Sequence, residues 1–269
     1  MKKTLKWILL FTLTFAFTSQ IMAVEIMGQV AIFNEQVGWI NAATAKTQSQ
    51  IVIDNLKLTK NIQVLGDADI AKWAEANTDD GNLDIIITFG YFPTKLYAPG
   101  NANADGSVAE LFLEGGDMFL NTADYIFYVT EGGGANGDTG LKNMTDSNFD
   151  CWTDGAVTVP TEDGLKYIPS LPKSITAPRC FRMSQIEADG DWEMEVAFAE
   201  AGDNAEPAII RNLSYGGRVG IFLQVSDDAQ PRGNVIVEML NKWLKEEVRS
   251  VAVDPQSKLT TTWGTVKSF

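Results

Sequence analysis

The chain has 269 residues, 21 Lys and Arg against 35 Asp and Glu, and no histidine. Without histidine it has no Ser-His-Asp or Cys-His nucleophile system, no imidazole zinc site, and no default acid/base group near neutral pH. A formal charge of −14 repels nucleic-acid phosphates and anionic lipid, so neither is an expected partner.

Residues 1–23 read as an export leader. Lys2, Lys3 and Lys6 form a basic start. The apolar stretch 7–17 is too short to cross a ~30 Å bilayer as a helix. Ala23 closes a plausible cleavage region, and Val24 stands where a lipoprotein would carry Cys. The leader holds three of the 21 bases and none of the acids. The remainder therefore carries 18 bases against 35 acids, a formal −17. The expectation is a secreted or periplasmic protein, with no membrane association after leader removal.

Residues 24–249 read as one α/β domain. An apolar run over 28–34 predicts a buried strand, and 39–56 is compatible with a helix. A short strand follows at 62–66, then a helix from Asp67 to Glu75 for which Asp67 could serve as cap. Residues 83–90 are apolar on both faces, as at the centre of a parallel sheet covered by helices. Ser107 caps a helix through Leu113 that Gly115-Gly116 stops, and 118–122 begins another strand. From about 131 to 189 the periodicity lapses, which predicts a loop-rich insertion. Residues 192–198 alternate like a strand. The stretches 208–211 and 218–224 flank Tyr215-Gly216-Gly217 as a hairpin. The segment 235–248 is an amphipathic helix with Val235, Ile236, Met239, Leu240, Trp243 and Leu244 on one stripe. A Thr-rich tail covers 250–269.

Cys151 and Cys180 are the only cysteines. In an exported chain such a pair is expected to form one disulfide, clamping the irregular segment. The competing reading is a reactive thiol, which without histidine would need Arg179, Arg182 or a helix N-terminus to activate it.

The early strand at 30–34, the strand at 83–90 and the helix ending in Gly115-Gly116 before Asp117-Met118-Phe119-Leu120-Asn121 form one set of features. With Gly217-Arg218-Val219-Gly220-Ile221-Phe222 and the helix after it, the set resembles the class I glutamine amidotransferase-like superfamily, in particular its trehalose-utilisation (ThuA-like) branch. The resemblance covers 28–130 and 205–248. It implies a flavodoxin-like, doubly wound, mainly parallel sheet. It also implies a Gly-x-Cys-x-Gly elbow, where this chain has Asn121-Thr122-Ala123-Asp124, and a partner histidine that it lacks. Glutamine hydrolysis is therefore not expected.

In open α/β sheets ligands sit beyond the carboxyl ends of the parallel strands. The residues expected there are Asn34, Glu35, Gly66, Asp67, Gly90, Tyr91, Asn121, Thr122 and Asp124. Asp227, Asp228 and Arg232 follow the strand of the hairpin. The ligand-binding candidates are Glu35, Tyr91, Asn121, Asp124, Asp227, Asp228 and Arg232, a set suited to a polyol, sugar or cation. Taken singly, Asp67 reads as a cap and Asp227-Asp228 as a turn. No cofactor or metal is expected. Residues 132–134 lack the Lys-Ser/Thr of a phosphate loop, and the loop from Asn101 to Gly106 has Phe112 where a calcium loop needs a carboxylate. The favoured function is a non-catalytic domain binding a small polar ligand, such as a carbohydrate, or a protein. The alternatives are a carboxylate-dependent glycan hydrolase and a structural component of an extracytoplasmic assembly.

Overall fold

A computed structural model describes residues 28–129, 136–153 and 155–247. The leader, the glycine run 132–134 and the tail lie outside them. Twelve strands among the described residues form two sheets.

The larger sheet is mainly parallel. Its strands are β1 (Val30–Phe33), β2 (Ile62–Val64), β3 (Ile85–Phe89), β4 (Met118–Thr122), β8 (Trp192–Ala197), β11 (Ala208–Asn212) and β12 (Arg218–Ile221). Their spatial order is β2-β1-β3-β4-β12-β11-β8. The first five run parallel, and β11 and β8 add an antiparallel edge. The hairpin expected from the sequence is β11–β12, with Ala208 opposite Ile221 and Arg211 opposite Arg218.

Both faces of β1, β3 and β4 are dry, which is why those strands read as largely apolar runs, whereas the edge strand β2 is mostly exposed. On one face Ile32, Ile85, Ile87 and Leu120 pack with Val52 of α1 (Ala42–Asn55) and Val235 and Ile236 of α7 (Arg232–Glu238). On the other, Phe33, Ile86 and Phe119 pack with Ile70 and Trp73 of α2 (Asp67–Asn77) and Phe112 of α3 (Val108–Glu114). α7 continues as a π-helical segment, Met239–Leu244, that keeps Met239, Leu240, Trp243 and Leu244 buried. Gly233 lets α7 approach α1, since a Cβ there would strike the backbone carbonyl of Gln48.

Caps explain the helix starts. The Ser107 hydroxyl accepts from the Glu110 N–H, as its position suggested. Asn41 caps α1 through the Thr44 N–H. Asp67 does not cap α2: Gly66 holds the cap position, and Asp67 is the first helical residue. The Asp67 carboxylate instead accepts from the Thr94 hydroxyl and the Lys95 N–H.

The segment expected to be loop-rich carries regular structure. It contains α4 (Thr139–Thr145), β5 (Ala156–Pro160), α5 (Glu162–Tyr167), β6 (Ile175–Ala177), β7 (Phe181–Arg182) and α6 (Met183–Asp189). With β9 (Ala199–Ala201) and β10 (Asn204–Ala205) its strands form an antiparallel sheet in the order β6-β5-β9-β10-β7. β9 follows β8 after Phe198 alone, so one extended run of chain serves both sheets.

The expected disulfide is absent, and both cysteines are buried free thiols. Cys151 packs in the apolar cluster on the α2–α3 face, and Cys180 in the cluster on the α1–α7 face. Each thiol thus behaves as a small buried hydrophobe. Burial pushes the Cys180 thiol up to about 12 and the Cys151 thiol well above its ordinary value. Neither group is an activated nucleophile.

Candidate functional site

The carboxyl ends of β3 and β4 lead into segments that converge with two loops. Tyr91 follows β3, and Asp124, Tyr125 and Tyr128 follow β4. Trp39 comes from the β1–α1 connection. Trp152 and Arg179 come from the segment that carries the second sheet. Together these seven residues line a cavity of about 170 Å³.

Aromatic rings form most of its wall. Tyr125 and Trp152 meet edge-to-face at 5.2 Å, and Tyr91 and Tyr128 lie 6.1 Å apart. The Arg179 guanidinium lies 4.1 Å from the Trp152 ring centre, 5.5 Å from that of Trp39 and 5.9 Å from that of Tyr125. Such stacking holds the planar fork in place at little entropic cost.

Asp124 is the carboxylate among these residues, and it is 1% exposed. Its Oδ1 accepts from the Tyr125 N–H at 2.7 Å. Its Oδ2 is buried with no hydrogen-bond partner. Burial raises its pKa to about 7, against the Tyr125 N–H and the Arg179 charge, which pull it down. Gly38 makes room for this carboxyl, because a Cβ at that position would collide with Asp124 Oδ2 and the Tyr91 ring. Ala123, just before it, is held at φ +67°, a strained value for a residue with a side chain. That turn re-aims the chain directly after β4.

A second cavity of about 560 Å³ adjoins the first. Trp39 and Arg179 belong to both, and Thr176, Asp227 and Gln230 are among the other lining residues. Gln230 Oε1 is buried and has no partner.

The structure therefore brings Tyr91 and Asp124 together and places Asp227 in the neighbouring cavity. The other candidates lie elsewhere. Glu35 is exposed near the start of α2, its carboxylate 3.3 Å from the Asp67 N–H. Asp228 accepts from the backbone and side-chain amides of Asn41 at 3.0 and 2.6 Å, securing the start of α1. Asn121 is sealed in a buried amide network. It donates to Thr88 Oγ1 at 2.8 Å and accepts from Gln224 Nε2 at 2.7 Å. Arg232 is buried and donates to the carbonyls of Val225 and Asp227. Asp227 receives the Ala229 N–H and the Gln230 side chain, the turn role its sequence position allowed.

Trp39, Tyr125, Tyr128, Trp152 and Arg179 were not among the candidates. Tyr125 and Tyr128 had a detectable cue, since they directly follow Asp124 at the carboxyl edge.

No family model matches the chain, and no curated protein matches it. A solved structure of a ThuA-like protein from Bacteroides uniformis ATCC 8492 is similar, with 12% identity and a TM-score of 0.44. The alignment covers 81% of this chain and 90% of that one.

Proposed function

We propose that this chain is an exported, non-catalytic α/β domain that binds a small polar ligand, with carbohydrate as the ligand class. The observation that carries this reading is the unpartnered Asp124 Oδ2 at an aromatic-walled cavity. A buried acceptor without a donor costs free energy, and a ligand hydroxyl would supply the missing hydrogen bond. The Trp and Tyr rings offer flat apolar surfaces to the C–H faces of a sugar ring, and Arg179, stacked on Trp152, puts a positive charge beside the Asp124 carboxyl.

The parallel strand order β2-β1-β3-β4-β12, with helices on both faces, supports the finer reading of a flavodoxin-like, doubly wound sheet. The strained turn at Ala123 falls in Asn121-Thr122-Ala123-Asp124, the stretch standing where the amidotransferase-like resemblance implies an elbow, and it supports that resemblance. Binding is preferred to glycan hydrolysis because glycosidases pair two carboxyl groups ~5–9.5 Å apart. Asp124 is the one carboxylate among the described residues lining the aromatic cavity, and Asp227, in the adjoining cavity, has both oxygens engaged in its own turn by the Ala229 N–H and the Gln230 side chain.

Titration calorimetry against simple sugars tests the proposal. Asp124→Ala should abolish binding. Trp152→Ala should weaken it about tenfold by removing a stacking surface. Unchanged affinity in both variants would overturn it.

A further inference from the structure

The aromatic cavity alone is small for a ligand site. Ligand pockets in proteins are typically ~300–1,000 Å³, and this cavity holds about 170 Å³. Its neighbour, at about 560 Å³, falls within that range. The two are not separate sites, because Trp39 and Arg179 are walls of both. Their junction is held stiffly, with Arg179 stacked on Trp152 and its Nη1 donating to the Pro178 carbonyl at 2.8 Å.

The larger cavity has its own polar equipment. Gln230 Oε1 is a buried acceptor without a donor, the same deficit that marks Asp124 in the smaller one. Thr176 presents a hydroxyl from β6, a strand at the edge of the antiparallel sheet. Two adjoining cavities thus each pair a hydrogen-bond deficit with a shared Trp–Arg wall. That repetition matches a ligand built from repeating hydroxylated rings.

Resting on the carbohydrate reading above, we infer that the ligand is a linear glycan of two or more rings. Its terminal ring occupies the aromatic cavity, and the next lies over Trp39 and Arg179 against Thr176 and Gln230. The smaller cavity sets which terminal ring is accepted. The larger one adds affinity with chain length.

The test is calorimetry on the full chain with glucose, maltose, maltotetraose, cellobiose and cellotetraose. At least one linkage series should bind about tenfold or more tighter as the di- and tetrasaccharide than as glucose. The Thr176→Ala/Gln230→Ala double variant, its fold checked by circular dichroism, should lose that gain and keep the affinity for glucose. Equal affinity for glucose and both tetrasaccharides would overturn the two-ring inference while leaving a single-sugar site standing. Loss of glucose binding in the double variant would also overturn it, because the two cavities would then not act as separate subsites. Failure of every sugar to bind would overturn the carbohydrate reading itself, and this inference with it.

Discussion

Both ends of the parallel sheet hold buried carboxylates, but they are used differently. At the amino end, Asp84 Oδ1 accepts from the Gln29 N–H at 2.5 Å, and Asp117 Oδ1 accepts from the Asp84 N–H at 2.9 Å. Each acid ties the approach to its own strand to that of a neighbour. At the carboxyl end, Asp124 binds only the N–H of the next residue and lines a cavity walled by rings. Asp84, Asp117 and Asp124 are each 1% exposed and each has an unpartnered Oδ2, so burial alone does not mark a site. The difference lies in the surroundings. At the amino end the carboxylates bridge backbone, whereas at the carboxyl end aromatic and cationic groups from four separate chain segments converge on one acid.

The largest expected effect tests the frame on which both ends depend. Ile86 is fully buried in β3 between the two ends. Ile86→Asp places an unpaired charge in a dry interior at a cost of several kcal/mol and should abolish folding. A soluble variant with unchanged melting would show that β3 is not the dry centre of the sheet.

The next effect tests the amino end by pH and substitution together, because Asp124 at the carboxyl end, raised to about 7, contributes to the same pH response. Burial raises Asp84 to about 6 and Asp117 to about 8, and their proximity to other acids adds to the rise. A carboxyl whose folded pKa is raised favours folding while protonated. That contribution is full below about pH 4, the ordinary carboxylate range, and is lost as pH rises through about 6 and then about 8. The melting temperature should therefore be higher at pH 5 than at pH 9, by about 5 °C or more. Asp117→Asn keeps an acceptor for the Asp84 N–H but removes the ionisation, so it should shrink the loss between pH 7 and 9. An unchanged profile in that variant would mean that the amino-end acids do not govern the pH response.

Much of the frame was legible in the sequence because its signals are local. The strands at 83–90 and 118–122, the Ser107 cap and the 208–224 hairpin each rest on apolar runs or cap chemistry within a few residues. The second sheet was not legible, because β7 and β10 are two residues long and β6 and β9 three, too short to show a period of two. The site divides in the same way. Tyr91 and Asp124 follow from the rule that ligands bind at the carboxyl edge. Trp152 and Arg179 reach the cavity only through tertiary folding of a segment without periodicity. Glu35 and Asp228 satisfied the same edge rule, but each is turned toward a helix start instead. The cysteine pair failed as a disulfide because pairing arithmetic takes no account of packing, and the two side chains are buried as free thiols in different apolar clusters.

The most direct measurement is a crystal structure with the tightest-binding tetrasaccharide. A terminal ring should lie between Trp39 and Trp152, with a hydroxyl within hydrogen-bonding distance of Asp124 Oδ2 and the next ring beside Gln230. A sugar bound instead in the separate cavity of about 500 Å³ lined by Asp67, Thr94 and Lys95, with the aromatic cavity holding only water, would contradict this.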